Sequence, residues 1–213
     1  MGLNSNRASK SGFTLVELVI AITIAALILT MGVPSFRNFF DLQRLKGAGE
    51  QVYAHIQRAR SEAITRNTDV AVNFSSNGTT TWSYGISTLN NCDLAVTDAT
   101  AATACTLVID DGDGNVHSIN GVVDTDDKVL MRFSDDDHRE IKMARSNFLS
   151  GTQITFSGFN GTAVGNTGDI LLESAEENKL LVKVAALGQV RICSPDGSVS
   201  GYVDTLPGND ADC

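Results

Sequence analysis

Residues 13–33 form a run of 21 in which Glu17 is the one charged side chain. Leu, Ile, Val and Ala dominate it, and no breaker interrupts it before Gly32 and Pro34. At ~1.5 Å per residue such a helix spans about 31 Å, the thickness of a hydrocarbon core. A carboxylate at the bilayer centre costs roughly 2.5–3.5 kcal/mol, so Glu17 is tolerated near an edge or kept because something pairs with it. A cleavable secretory signal has a basic start, a shorter apolar stretch and then a small-residue cleavage site. Arg7 and Lys10 supply the basic start, but the run is too long and no Ala-x-Ala site follows it. The small pair Ser11-Gly12 precedes it instead. An uncut signal anchor is the simplest expectation.

Beyond Pro34 apolar positions return at helical spacing: Leu45, Ala48, Val52, Ile56, Ala59 and Ala63. Steps of three and four place them on one helix face. The charged residues, Arg44, Lys46, Glu50, Arg58, Arg60, Glu62 and Arg66, fall mostly elsewhere. The spacing predicts a helix over 13–66 that stops at Asn67 and bends or opens at Gly32 and Pro34. Its second half, with many small residues on the apolar face, fits close packing on a sheet. Its first half has no partner in its own chain and faces lipid or other copies.

After Asp69 the period changes to short alternating or β-branched runs, with strands expected at 70–74, 82–88, 106–109, 116–123, 128–133, 152–156, 169–173, 180–185 and 189–193. Asn77-Gly78, Asp113-Gly114, Asn160-Gly161 and Asp196-Gly197 mark turns between them. Residues 89–103 and 134–150 read as loops. The class is α+β, and the β-rich part is long enough for one domain with its own core.

Charge separates the two parts. Residues 37–69 carry six basic and four acidic side chains; residues 70–213 carry eight and twenty, a net of −12 in a chain of −9 overall. That disfavours nonspecific binding to nucleic acid, which depends on phosphate neutralisation. Cations flank the apolar run on both sides (Arg7 and Lys10; Arg37, Arg44 and Lys46), so charge alone does not orient it.

Candidate chemistry is sparse. Asp111, Asp113 and Asn115 match the first three ligands of a calcium-binding EF-hand loop, but Val116 and Val122 stand where its glycine and glutamate belong. They are weak metal candidates, and an acidic β-turn accounts for them better. His55, His117 and His138 have no metal or catalytic spacing, and neither a nucleophile elbow nor a phosphate loop is present. No catalytic set and no cofactor are expected, and the protein is not expected to be an enzyme.

The stretch Lys10-Ser11-Gly12-Phe13-Thr14-Leu15-Val16-Glu17-Leu18 resembles the leader junction of type IV pilins and type II secretion pseudopilins. The resemblance implies cleavage after Gly12 by a prepilin peptidase, N-methylation of Phe13, and an assembly role for Glu17. The chemistry agrees with it. Cutting at Gly12 leaves the apolar run intact and creates an α-amino group with an ordinary pKa of about 7.7–8.0, a natural partner for Glu17. That pairing can run within one helix, since Phe13 and Glu17 are i and i+4. In the family it is taken to run to a neighbouring subunit. Snorkelling of Glu17 to the membrane surface is the remaining reading. The resemblance also places the N-terminus in the cytoplasm, the helix in the bacterial inner membrane and the rest in the periplasm.

A second, weaker likeness is to the GspH/FimT family of minor pilins. It rests on Ala59-Arg60-Ser61-Glu62-Ala63 leading into 70–74, on Trp82-Ser83-Tyr84-Gly85, on Asp111-Gly112-Asp113-Gly114-Asn115, on Ile154-Thr155-Phe156 and on Gly188-Gln189-Val190-Arg191. It implies a long N-terminal helix packed on a C-terminal antiparallel β-sheet domain. The parts are then a leader (1–12), a transmembrane or filament-core half-helix (13–35), an amphipathic half-helix (36–68) and a periplasmic domain (69–213). The implied function is a minor pilin in the initiating or tip complex of a pilus, with a pseudopilin of type II secretion as the alternative. The partners are the prepilin peptidase, other major and minor pilins or pseudopilins, and inner-membrane lipid. Some FimT-like members carry Gly-Arg-x-Arg and bind DNA for uptake. Here Gln189 replaces the first arginine, which leaves Arg191 a weak DNA-binding candidate; a strand residue capping an acidic neighbour is the plainer reading. In an oxidising periplasm disulfides persist. Of three pairings, Cys92–Cys105 and Cys193–Cys213 are preferred because each closes one local loop.

Overall fold

The structure is a computed structural model that describes residues 12–75, 78–109, 127–148, 151–163, 165 and 167–202; for 31–35 it describes the backbone alone. The chain divides into two compact units, 1–40 and 41–213.

Helix α1, Leu15–Arg66, is the helix the spacing predicts, and it stays helical through Gly32 and Pro34. Thr14 opens it, its Oγ1 accepting the Glu17 N–H at 3.2 Å, which satisfies one of the first-turn donors that lack a helical partner. Asn67 closes it in the left-handed region, with φ of 49°. There the Asn67 N–H bonds the Ile64 carbonyl at 3.3 Å and the Thr68 N–H bonds the Ala63 carbonyl at 3.2 Å. This two-bond cap needs a residue that tolerates positive φ, and Asn is one of the few.

Among the described residues ten strands follow: β1 (Val70–Phe74), β2 (Ser83–Ser87), β3 (Thr106–Val108), β4 (Lys128–Leu130), β5 (Arg132–Ser134), β6 (Lys142–Ser146), β7 (Gln153–Phe156), β8 (Gly168–Glu173), β9 (Lys179–Val184) and β10 (Val190–Cys193). They form two four-stranded sheets, ordered β5-β2-β1-β7 and β10-β9-β8-β6, and a two-stranded one, β3-β4. Every pairing of named strands is antiparallel. The fold is α+β.

Within the second unit the six predicted residues of the α1 face, Leu45 to Ala63, are all fully buried. They share one cluster with Val72, Tyr84 and Ile154 of the first sheet and with Met143, Ile170, Leu172 and Val182 of the second. Burying a side chain of Leu or Ile size contributes about 1.5–3 kcal/mol, so this face is what fastens the helix to the sheets. Two polar contacts reinforce it. His55 Nδ1 lies 2.9 Å from Tyr84 Oη, with its ring stacked 3.8 Å from Phe133. His138 Nε2 lies 2.6 Å from Gln51 Oε1, with its ring stacked on Trp82.

The structure differs from the sequence reading in two strands. The run 128–133 is two strands, because Met131 between them bonds the Cys105 carbonyl through its N–H and the Ile86 N–H through its carbonyl. The chain thereby passes from the β3-β4 pair to the main sheet. Strand β6 lies inside the expected loop 134–150; Met143 is its one fully buried apolar side chain, so it shows no alternation. The expected strand 116–123 lies outside the described residues.

Candidate assembly site at the N-terminal junction

Gly12, Phe13 and Thr14 precede the first helical residue, Leu15. The Gly12–Phe13 bond therefore sits in a non-helical, exposed stretch, where a peptidase can reach it. Phe13 is 82% exposed. Because Phe13 lies outside α1, the i, i+4 spacing of Phe13 and Glu17 within one helix does not hold in this uncut chain. Glu17 is exposed and forms no ion pair among the described residues. Its backbone N–H, three residues after Thr14, receives the cap described above. The Thr-x-x-Glu pattern is a helix-start signal in its own right, and the sequence reading passed over it.

Behind this junction the large apolar side chains from Leu15 to Leu29 are all exposed, at 45% or more. They lie on every side of the helix: at ~100° per residue Leu15, Val16, Ile24, Ile28 and Leu18 follow one another around its axis. A helix apolar all round is one whose partner is lipid or other protein. Among the described residues no helix is long and apolar enough to cross a membrane. The side chains described from Leu15 to Thr30 account for ~24 Å of helix, against about 30 Å of hydrocarbon core.

The other sequence candidates belong to the second unit, 41–213. Cys92 and Cys105 form a disulfide, with Cα atoms 4.9 Å apart. The loop it closes lies over the outward face of the first sheet: Asn73 Nδ2 donates to Cys92 Sγ at 3.3 Å, and Arg132 Nε donates to the Leu94 carbonyl at 2.5 Å. Gly85 of β2 lies directly beneath it. Cys193 is buried at the end of β10, and Cys213 lies outside the described residues. Asp111, Asp113 and Asn115 also lie outside them. Among the described residues no group of His, Cys, Asp or Glu could hold a metal ion.

Arg191 is exposed on β10. Its cross-strand neighbour is Lys183, not an acid, so the expectation of a cap on an acidic neighbour is not met. The glycine of the same motif has a packing role. Gly188 has φ of +76°, and a Cβ there would lie 1.9 Å from the Gly161 carbonyl oxygen. Only glycine lets these two turns touch.

Comparison with known proteins follows the same division of the chain. A family model described as "Prokaryotic N-terminal methylation motif" matches residues 7–33. No curated protein matches. Two crystal structures of the type IV minor pilin FimU of Pseudomonas aeruginosa are similar. One is 14% identical with a TM-score of 0.41, covering 69% of this chain and 90% of that one. The other is 16% identical with a TM-score of 0.44, covering 72% and 91%. A model described as "Type II transport protein GspH" matches residues 48–188, most of the β-rich part together with the end of the helix from Ala48. The chain belongs to this GspH family.

Proposed function

We propose that the chain is a minor type IV pilin, cut after Gly12 by a prepilin peptidase, methylated at Phe13 and built into the initiating or tip complex of a pilus through its N-terminal helix. The observation that carries this reading is the junction itself. A methylation motif spans residues 7–33, the Gly12–Phe13 bond lies in an exposed non-helical stretch, and the helix behind it is apolar on all sides, with one carboxylate, Glu17, that has no ion pair among the described residues. Before assembly the half-helix 13–35 sits in the inner membrane, with residues 69–213 in the periplasm. On assembly it exchanges lipid for the helices of other pilins. Cleavage supplies the positive terminus that Glu17 lacks in the uncut chain, and a neighbour's Glu17 or the chain's own can accept it. Leaving one member of a buried charge pair alone costs about 3–5 kcal/mol, which makes the pair a gate on incorporation. The role is structural and needs no catalytic residue.

Glu17→Ala tests this directly. It should leave membrane insertion and cleavage unchanged while lowering the chain's share in the sheared filament fraction by tenfold or more, a factor that about 1.4 kcal/mol already produces. Unchanged incorporation would remove Glu17 as the assembly contact. A minor pseudopilin of type II secretion is the second reading, and the description of the matching family model favours it. The same helix chemistry serves both. A secretion defect without a pilus defect on deletion would decide for it.

A further inference from the structure

The end of the second unit that holds the last turns of α1 carries a surface that the junction does not explain. Two tight turns, 157–162 and 185–189, meet there. The Ala163 N–H bonds the Ala186 carbonyl at 2.9 Å, and Arg60 of α1 donates from Nε to the Gly161 carbonyl at 3.0 Å. The Gly158 N–H is held by Asp69 Oδ1 at 2.9 Å. The turns are thus fixed to each other and to the helix. Yet each presents one large apolar side chain outward: Phe159 is 88% exposed and Leu187 is 68% exposed, with Ile64 of α1 half exposed beside Gly161. A rigid tip bearing apolar side chains suits binding, because no ordering cost is left to meet on association.

Charge identifies the kind of partner. Immediately below the 185–189 turn, Lys183 and Arg191 stand directly opposite each other on β9 and β10. Like charges in that position repel. Neither forms an ion pair among the described residues. Asp169, opposite Lys183 on β8, gives its carboxylate to the Asn147 amide at 2.5 Å. Asp169 keeps its negative charge beside Lys183, so Arg191, exposed and without an ion pair among the described residues, is the cation that adjoins the apolar tip, on a domain of net charge −12. That net charge repels a polyanion, while the exposed Arg191 attracts a carboxylate. We propose that this tip docks a neighbouring subunit that offers an apolar recess flanked by carboxylates. The proposal rests on the assembly reading above and adds a second contact, remote in sequence from the N-terminal helix.

The test uses the full-length chain in cells that assemble it, with a photoreactive benzoylphenylalanine replacing Leu187, or replacing the exposed Val129 of β4 as a control. The Leu187 probe should crosslink to another pilin or pseudopilin, in a peptide containing Asp or Glu. The Val129 probe should not. Lys183→Glu with Arg191→Glu should cut the Leu187 product about tenfold, and Arg191→Gln alone should cut it less, in the same direction. Products with nucleic acid, with lipid or with the chain's own C-terminal peptide, or no product in cells where the chain begins at Phe13, would each overturn the proposal. An uncut N-terminus would sink the assembly reading and this surface with it, and the N-terminal peptide tells that failure from the others.

Discussion

Gly85 lies under the Cys92–Cys105 bridge, where a Cβ would come within 2.6 Å of both the Cβ and the Sγ of Cys105. Gly85→Ala should therefore cost about 1–3 kcal/mol, as overpacking in a tight core does. Replacing both cysteines by serine should cost about 3 kcal/mol in the chain-entropy view of a short closed loop. The two changes touch the same contact, so together they should cost less than their sum. Denaturant midpoints of the detergent-solubilised chain give all three values, and strict additivity would show that Gly85 does not answer to the bridge. The bridge was legible in the sequence because its cysteines stand 13 positions apart and close one local loop, which favoured this pairing among three. The need for Gly85 was not, since it arises only once the loop folds over β2. The same holds for Gly188, which looked like part of a binding motif and is the contact point of two turns.

At the scale of elements, α1 was the most legible because its period is long and its buried residues repeat on one face. The strands that pack apolar side chains on alternate positions, such as β9, were legible for the same reason. Strand β6 was hidden by its charged neighbours, and the division of β4 from β5 by a change of hydrogen-bonding partner that no composition signals. The helix-to-sheet contacts through His55 and His138 carry a pH dependence. Burial lowers the pKa of His55 below its ordinary 6.5, and the Arg58 cation lowers it further. Burial lowers that of His138 as well, partly opposed by Asp137. The folded state thus binds protons less readily than the unfolded chain. Stability from these groups is complete above about pH 6.5 and is lost as pH falls toward the folded values. Denaturation midpoints should drop between pH 7.5 and pH 5.5, and His55→Gln should shrink that drop. An equal drop in the variant would place the pH dependence elsewhere, in the carboxylates.

At the scale of the molecule, the chain joins a half-helix whose described apolar side chains are exposed to a second unit with a closed core and an acidic sequence. The first unit exposes its large apolar side chains, and in the proposed assembly lipid and then neighbouring helices cover them. The class of the fold was readable from the helical period up to Arg66 and the short β-branched runs after Asp69, because both are written in local pattern. What the domain docks against was not, because Phe159, Leu187, Lys183 and Arg191 come together only through the pairing of β9 with β10 and the contact of two turns. The central claim is that processing at Gly12 releases this chain into a filament. Intact-mass and N-terminal analysis of the chain in sheared filaments tests it most directly. The account predicts a chain that begins at N-methylated Phe13 and co-purifies with the filaments; a chain that begins at Met1 or Gly2 and stays wholly in the membrane fraction would contradict it.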